Sequence, residues 1–220
     1  MARLCWDYGH GGNDSGAILN GRKESNDVLS IGKEIALEMR RHGVEVDETR
    51  ADDSTVSLSA RSDFENNNAY DYFVSFHRNA FNKKAHGVET FTYPRSSKKA
   101  KELAKKVQSS LVALGFTDRK VKEANFHVLR ETKAAAILIE MGFIDNAEDN
   151  KIFDSKRNDI VKAITQAILN QLGITYKEKV VIATGTLYKV QIGAYAEREN
   201  AENMINKLEK LGFKPCIKIE

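Results

Sequence analysis

Apolar residues recur along the first 174 positions in two alternating patterns. Short runs rich in β-branched and aromatic residues, such as Tyr72–His77 and Ala135–Glu140, predict buried strands. Between them, apolar residues at steps of three and four predict amphipathic helices, as over Val28–Met39 and Lys98–Leu114. The same patterns predict strands over Arg3–Asp7, Val44–Thr49 and Val88–Tyr93 and helices over Leu58–Asn68 and Asp159–Leu172. Strands that alternate with helices indicate an α/β fold, with an open, mostly parallel, twisted sheet flanked by helices.

The C-terminal residues predict a separate, smaller unit. A linker over 177–186 precedes a predicted strand over 187–195, a helix over 197–211 and a second strand over 215–219. We therefore divide the chain into a main domain over 1–176, the linker, and a small β-α-β unit over 187–220. A unit of this size buries little surface alone, and its exposed strand edges favour pairing with a partner. We expect either that two chains form a homodimer through 187–220 or that a second β-α-β half, which would complete the unit, has been removed. Packing of the unit against the main domain is the alternative.

Composition narrows the classes of protein that this chain can belong to. The net charge is +3, from 34 basic and 31 acidic residues, which argues against a nucleic-acid partner. Apolar runs stay well below the roughly 18 residues that cross a membrane, so no membrane association is expected. Cys5 and Cys216 form no metal or redox motif, and we expect two buried free thiols in a reducing compartment.

Four side chains able to bind metal or transfer protons stand at or beside the ends of predicted elements. His10 follows the first strand inside a glycine-rich turn, and His77 and Glu140 each end a strand. Glu24 lies just before the first helix. In an open α/β sheet the functional crevice lies at the carboxyl ends of the strands. We therefore expect these four side chains to gather at one edge of the sheet.

The chemistry of these four residues fits a hydrolytic metal centre. Two imidazoles and one carboxylate form a three-ligand zinc site with one open position. A water molecule bound there has its pKa lowered to roughly 7 by the metal. Glu140 follows an apolar run that favours a raised pKa, as a general base requires. The same donor set also suits a non-haem iron enzyme. Glu24 alone is equally well explained as a carboxylate at a helix N-terminus.

Seven motifs in order resemble the zinc-dependent N-acetylmuramoyl-L-alanine amidases. They are DYGHGG (7–12), Glu24 after the Gly21 turn, TRADDSTVSLSAR (49–61), FVSFHRNA (73–80), GVETF (87–91), VLR (128–130) and AAILIEMGFIDN (135–146). The resemblance covers about residues 1–174. It implies one zinc ion bound by His10, Glu24 and His77, with Glu140 as the catalytic carboxylate. It further implies that the substrate is peptidoglycan, cut between N-acetylmuramic acid and L-alanine.

Other residues within the motifs are less directly assigned. We expect Arg130 and Asn79 to contact substrate, Arg130 near its carboxylates, although a structural ion pair explains Arg130 equally well. The chain departs from the usual pattern at Tyr8, at Arg78 and at Ala134–Ala135, where the family has a proline, a small residue and a proline. A protein that binds peptidoglycan with the same fold but without turnover is the alternative function; the presence of all four site residues argues against it.

The C-terminal unit resembles half of a SPOR domain, a peptidoglycan-binding module. The resemblance is carried by TLYKVQIGAYAERENAENMINKLEKLGF over 186–213. The N-terminal MARLCWDYGH has no apolar signal-peptide core, so we expect synthesis in the cytoplasm without a signal peptide. Such an enzyme reaches the wall as a phage endolysin released through a holin, which we favour, or as an autolysin freed by mother-cell lysis.

Overall fold

The computed structural model describes residues 1–179, 191–213 and 215–218. The chain divides into two compact units, Met1–Lys177 and Glu178–Glu220. None of the described helices combines the length and the apolar character needed to cross a membrane.

The first unit is built on a six-stranded sheet. Its strands are Arg3–Tyr8 (β1), Glu45–Glu48 (β4), Tyr72–Asn79 (β5), Val88–Thr92 (β6), Asp118–Glu123 (β7) and Ala135–Phe143 (β8); Ile18–Leu19 (β2) and Arg22–Lys23 (β3) pair separately. Its helices are Glu24–Arg41 (α1), Leu58–Asn66 (α2), Lys98–Val112 (α3), His127–Arg130 (α4), Ala147–Ser155 (α5) and Arg157–Gln171 (α6).

The strand order is β4-β1-β5-β8-β6-β7. Neighbouring strands are parallel except for β6 and β8, which are antiparallel. The predicted fold class, an open and mostly parallel sheet flanked by helices, is confirmed. Because β1, β5 and β8 are adjacent and parallel, their carboxyl ends meet at one edge. There the register pairs His77 with Glu140.

The two faces of the sheet are covered by different helices. Alternate residues of β1 and β5 pack with α1, α3 and α6 in the larger core, which includes Leu4, Trp6, Val74 and Phe76. The intervening residues Cys5 and Phe73 join α4 in a smaller cluster, with α2 beside it. Strands buried on both faces need apolar side chains at every position, which is the pattern that revealed them.

The described part of the second unit contains one helix, Arg198–Lys210 (α7), close to the predicted span. The described parts of the two predicted flanking strands, residues 191–195 and 215–218, form no strand; the rest of both segments lies outside the described residues, as do residues 180–186 of the predicted linker. The prediction of two buried thiols is correct for Cys5 but wrong for Cys216, which is exposed. No residue of α7 is buried, so the described part of this unit offers no core to cover a thiol.

Candidate active site

A glycine-rich turn brings the first histidine towards the second. The chain leaves β1 into Gly9, and a side chain there would place its Cβ atom 2.2 Å from the His77 ring. His10 itself has a φ of 60°, a left-handed conformation that is strained for most residues. Gly16 lies against both Glu24 and His10, where an added Cβ would meet each at 2.6 Å. The small residues therefore let the imidazoles approach the carboxylate closely.

Glu24 lies between the two histidines at the start of α1. Its Oε1 atom is 3.0 Å from Nδ1 of His77 and 3.2 Å from Nε2 of His10. The two imidazole rings are 5.0 Å apart and nearly perpendicular. Backbone N–H groups of Ala17 and Arg78 donate to the two carboxylate oxygens, each at 3.0 Å. This buried carboxylate is thereby fixed facing both rings.

The donor atoms of His10, Glu24 and His77 fit a single divalent ion. One donor atom from each residue lies within 4.8 Å of the others. A four-coordinate zinc with bonds of about 2.0–2.1 Å requires donors roughly 3.3 Å apart, close to the two histidine–carboxylate distances. Two nitrogens and one oxygen also match the donors that zinc takes in catalytic sites. The residues present therefore fit the metal that the sequence motifs imply.

Asp14 orients the first imidazole from behind. Its Oδ2 atom lies 2.9 Å from Nδ1 of His10, so a proton on Nδ1 leaves Nε2 free to face Glu24. The loop fixes Asp14 in turn, since Gly16 donates its N–H to the other carboxylate oxygen at 3.0 Å. A carboxylate behind a histidine in this way fixes the tautomer of a metal ligand and raises its basicity.

The charges of the cluster support one another. Burial lowers the pKa of His10, but hydrogen bonds and charge from Glu24 and Asp14 outweigh it and raise the pKa to about 9. Burial likewise opposes the charged form of His77, but Glu24 and Glu140 raise its pKa. Burial opposes ionisation of Glu24, yet the two histidines hold its pKa well below the usual range. In the absence of a metal ion, Glu24 is therefore ionised and His10 is protonated near neutral pH.

Glu140 stands beside this cluster with different chemistry. Its Oε2 atom is buried and has no hydrogen-bond partner among the described residues. Burial raises the pKa of Glu140 to about 7; His77 opposes the shift, and the carboxylates of Glu24 and Glu89 add to it. A buried, unpartnered carboxyl oxygen with a pKa near neutrality can accept and return a proton.

Asn79 and Arg130 lie in different surroundings. The Asn79 amide donates to Glu89 at 2.6 Å, and Glu89 is the cross-strand neighbour of Glu140. Arg130 binds Asn125 and Glu131 at 2.7 and 2.6 Å. Its side chain lines a cavity that includes the first residues of β8, whereas Glu140 lies further along that strand.

A second cavity, of about 280 Å³, opens directly onto the histidines. His10 and His77 form part of its wall, together with Gly9 and Asp14 of the glycine-rich turn. Apolar and hydroxyl side chains come from two further segments, residues 55–58 and Val128, and Asp7 and Arg61 complete the lining. The candidate metal ligands His10 and His77 therefore border a cleft with one polar and one apolar side.

The sequence interpretation overlooked a buried ion pair beneath the glycine-rich turn. Arg61 donates to Asp7 and to the Tyr8 and His10 carbonyl oxygens, each at 2.7 Å. Burial opposes ionisation of Asp7, but Arg61 and the hydrogen bonds of Ser75 and Thr49 keep its pKa low. An aspartate inside an apolar strand was the available signal, because buried charges require partners.

Arg78, one of the departures from the motif pattern, is also buried. Its guanidinium donates to Asp27 on α1 at 2.6 Å and to Asn150 on α5 at 2.7 Å. It also lies 4.1 Å from the Phe153 ring centre. The arginine therefore ties β5, the strand that carries His77, to two neighbouring helices.

Comparison with known proteins agrees with this arrangement. A family model described as N-acetylmuramoyl-L-alanine amidase matches residues 5–170, and a SPOR domain model matches residues 163–219. The second match begins inside α6, which belongs to the first compact unit.

Among curated relatives, a sporulation-specific N-acetylmuramoyl-L-alanine amidase of Bacillus subtilis is 34% identical over 99% of this chain and 84% of its own length. The endolysin of Bacillus phage SPP1 is 35% identical over 80% of this chain and 69% of its own length. Among solved structures, an N-acetylmuramoyl-L-alanine amidase from Clostridium difficile superposes with a TM-score of 0.75 at 34% identity, covering 78% of this chain and 97% of the other.

Proposed function

This chain belongs to the N-acetylmuramoyl-L-alanine amidase family, whose members hydrolyse peptidoglycan, and on that premise we propose that His10, Glu24 and His77 bind one catalytic zinc ion. Glu140 is the general base and acid in this proposal. The observation that carries the proposal is a contrast between the four side chains. His10, Glu24 and His77 each point a donor atom at a common position, whereas Glu140 beside them has a buried carboxyl oxygen without a hydrogen-bond partner among the described residues.

Each residue has a distinct task in the hydrolysis. A bound zinc ion would activate water and polarise the carbonyl of the scissile amide. Glu140 takes a proton from the attacking water and delivers one to the departing alanine nitrogen. Asp14 keeps the His10 imidazole in the tautomer that presents Nε2. Val56, Leu58 and Val128 give the cleft one apolar side, against which apolar parts of the substrate pack.

The test is the identity of the product. Peptidoglycan is incubated with the full chain, and products are identified by mass spectrometry and by newly exposed L-alanine amino groups. We expect such termini to appear and to be abolished by a zinc chelator. Exposed Glu148 provides the matched control for Glu140: Glu140→Gln abolishes the product and Glu148→Gln does not. Protein that sediments with the wall without releasing L-alanine termini would instead support the alternative, a catalytically silent peptidoglycan-binding protein.

For the C-terminal residues we propose a wall-binding unit over 187–220, joined by a linker over 177–186 to a catalytic domain over 1–176. The SPOR match supports peptidoglycan binding. Exposed apolar residues in the described part support pairing of two copies: Ile192, Tyr195, Leu211, Phe213 and Ile217. A chain ending at Lys177 should hydrolyse soluble muropeptides normally but sediment less with walls. Analytical ultracentrifugation of the full chain should show a dimer that the shortened chain does not form; a monomer would leave wall binding as the only role.

The route to the wall is part of the proposal. Relatives include both a sporulation-specific amidase and a phage endolysin, so both release through a holin and release by mother-cell lysis have support. In either case the protein is made in the cytoplasm and meets its substrate after the membrane has opened.

A further inference from the structure

A cavity separate from the histidine cleft lies on the far side of α4. It measures about 330 Å³ and is lined by Tyr93, Arg95, Ser96, Ser97, Leu129, Arg130, Thr132, Lys133, Ala134, Ala135 and Ala136; we name it the cationic cavity. Val128 lines the histidine cleft, whereas its neighbours Leu129 and Arg130 line the cationic cavity. The two cavities therefore share one short helix as a wall.

The charge of the cationic cavity has one sign. Three of its lining residues, Arg95, Arg130 and Lys133, carry a positive charge, and all three are exposed. Of the lining residues that the structure describes, none is acidic. Helix α3 begins beside the cavity, with Ser97 as its N-cap, and its 15-residue dipole adds positive potential. An anion is the ligand that this surface favours.

The contacts of the three cations leave much of this charge in place. Arg130 is partly neutralised, since it pairs with Glu131 at 2.6 Å. Lys133 donates its ammonium to the neutral carbonyl of Asn66 at 3.0 Å, and Arg95 to the neutral hydroxyl of Tyr93 at 3.4 Å. In addition, the Ser96 hydroxyl oxygen is buried and has no partner among the described residues. A hydroxyl in this state has an unused hydrogen bond next to the cations.

The position of the cavity suits a long substrate. Ala135 lines the cationic cavity and begins β8, and Glu140 lies five residues further along the same strand. At about 3.3 Å per residue, the two positions are roughly 17 Å apart. A polymer lying along this face therefore reaches both cavities, whereas a single small fragment occupies only one.

We infer that the cationic cavity binds an anionic group, carboxylate or phosphate, of the wall polymer whose amide is hydrolysed beside Glu140. This inference rests on the proposed function. Carboxylates come from the stem peptides and phosphates from polymers attached to the wall, and both accept hydrogen bonds from arginine and lysine in the same way. The cavity thus holds the polymer at a distance from the reacting bond and contributes to affinity for intact wall.

The experiment uses the full chain with two charges removed. Arg95→Gln/Lys133→Gln is compared with Lys33→Gln/Lys151→Gln, which removes two exposed lysines from α1 and α5. Each variant is assayed on intact walls, on walls freed of phosphate polymers by hydrofluoric acid, and on a soluble muramoyl peptide. Sedimentation with walls is also measured with Glu140→Gln added, so that binding is read without hydrolysis.

We expect the cavity variant to lose about tenfold in kcat/KM on walls relative to its own rate on the soluble peptide, a loss that the control variant does not show. A loss confined to untreated walls identifies phosphate, and a loss on both preparations identifies carboxylate. Wall hydrolysis and sedimentation equal to the control would overturn the inference, as would an equal fall on the soluble peptide. If the wild-type chain hydrolyses nothing, the proposed function fails, while sedimentation still decides the anion site.

Discussion

The last helix of each compact unit has a similar sequence pattern but a different environment. Helix α6 has 15 residues and buries much of its apolar stripe, including Ile160, Ile164 and Ile168, against α1 and α3. Helix α7 has 13 residues with apolar side chains at the same kind of spacing, yet buries none of them. Amphipathic periodicity therefore predicts a helix in both units, but a core forms only where other elements supply a complementary face.

The two compact units also differ in the chemistry that their side chains offer. The first unit brings two histidines and two carboxylates together near the carboxyl ends of its strands, and the one candidate metal-binding cluster among the described residues lies wholly within this unit. Catalysis requires side chains fixed to a fraction of an ångström, which a packed sheet provides. The second unit, with its exposed apolar residues, is suited to binding a partner.

The largest effect should come from removing a metal ligand in the first unit. His77→Ala should reduce wall hydrolysis to background and abolish stoichiometric zinc binding, because only two donors remain. His86→Ala is the control, since this histidine is exposed and its imidazole hydrogen-bonds to the Lys84 carbonyl. Retention of activity in His77→Ala would show that the site lies elsewhere and would break the contrast between the units.

A smaller effect should separate the two helices by stability. Ile164→Ala in α6 should lower the free energy of unfolding by about 2–5 kcal/mol, because it empties a fully buried position. Leu208→Ala in α7 should cost less than about 1 kcal/mol, as for a residue outside a core. Denaturant titration measures both. If the two substitutions lowered the free energy of unfolding equally, Leu208 would lie in a core that the second unit forms with a partner, such as a second copy of the chain.

Next comes the residue behind the first histidine. Asp14→Ala should weaken zinc affinity by about 10–100-fold while leaving the fold intact, because the His10 tautomer is no longer fixed. Asp63→Ala, an exposed aspartate on α2, is the matched control. Competition with a chromophoric chelator measures the affinity. An affinity equal to the control would mean that Asp14 only shapes the loop.

The smallest effect is a proton count. With its pKa raised to about 9, His10 is protonated near pH 7 in the metal-free protein, and zinc requires a neutral imidazole; the raised pKa of His77 acts in the same direction. Zinc binding at pH 7 should therefore release at least about one proton per site, and the His10 contribution should vanish as pH rises above about 9. Calorimetry in buffers of different ionisation enthalpy measures the release. No release at pH 7 would contradict the hydrogen-bonded arrangement of the metal-free site.

Much of the catalytic unit could be predicted from the sequence because its central strands are buried on both faces. Strand β7 was missed because its sequence, DRKVKE, is polar, as suits an edge strand with one neighbour. The antiparallel placement of β6 was also not evident, since a periodic pattern shows where a strand lies and not which way it runs. Helix α5 has too few apolar residues to reveal a stripe.

The candidate site was predictable for a different reason. His77 and Glu140 lie near the carboxyl ends of β5 and β8, two or three residues before the strands end, and these ends share one edge of the sheet; the glycines around His10 indicate close packing. The residues that support the site, Arg61 and Arg78, could not be predicted. Their partners lie more than fifty positions away in the sequence, and no local pattern connects them. In the C-terminal unit, the helix follows from periodicity, whereas periodicity does not show which residues pack against its apolar side.

The most direct test of the account is the zinc content and the turnover of Glu140→Gln, measured side by side with the wild-type chain. We predict one zinc ion per chain in both proteins, with peptidoglycan hydrolysis lower by about 10²–10⁴-fold in the variant, because the ligands are intact and only the proton-transferring group is lost. A variant that loses its zinc would make Glu140 a ligand. A variant that keeps zinc and hydrolyses peptidoglycan at the wild-type rate would contradict its role as the general base.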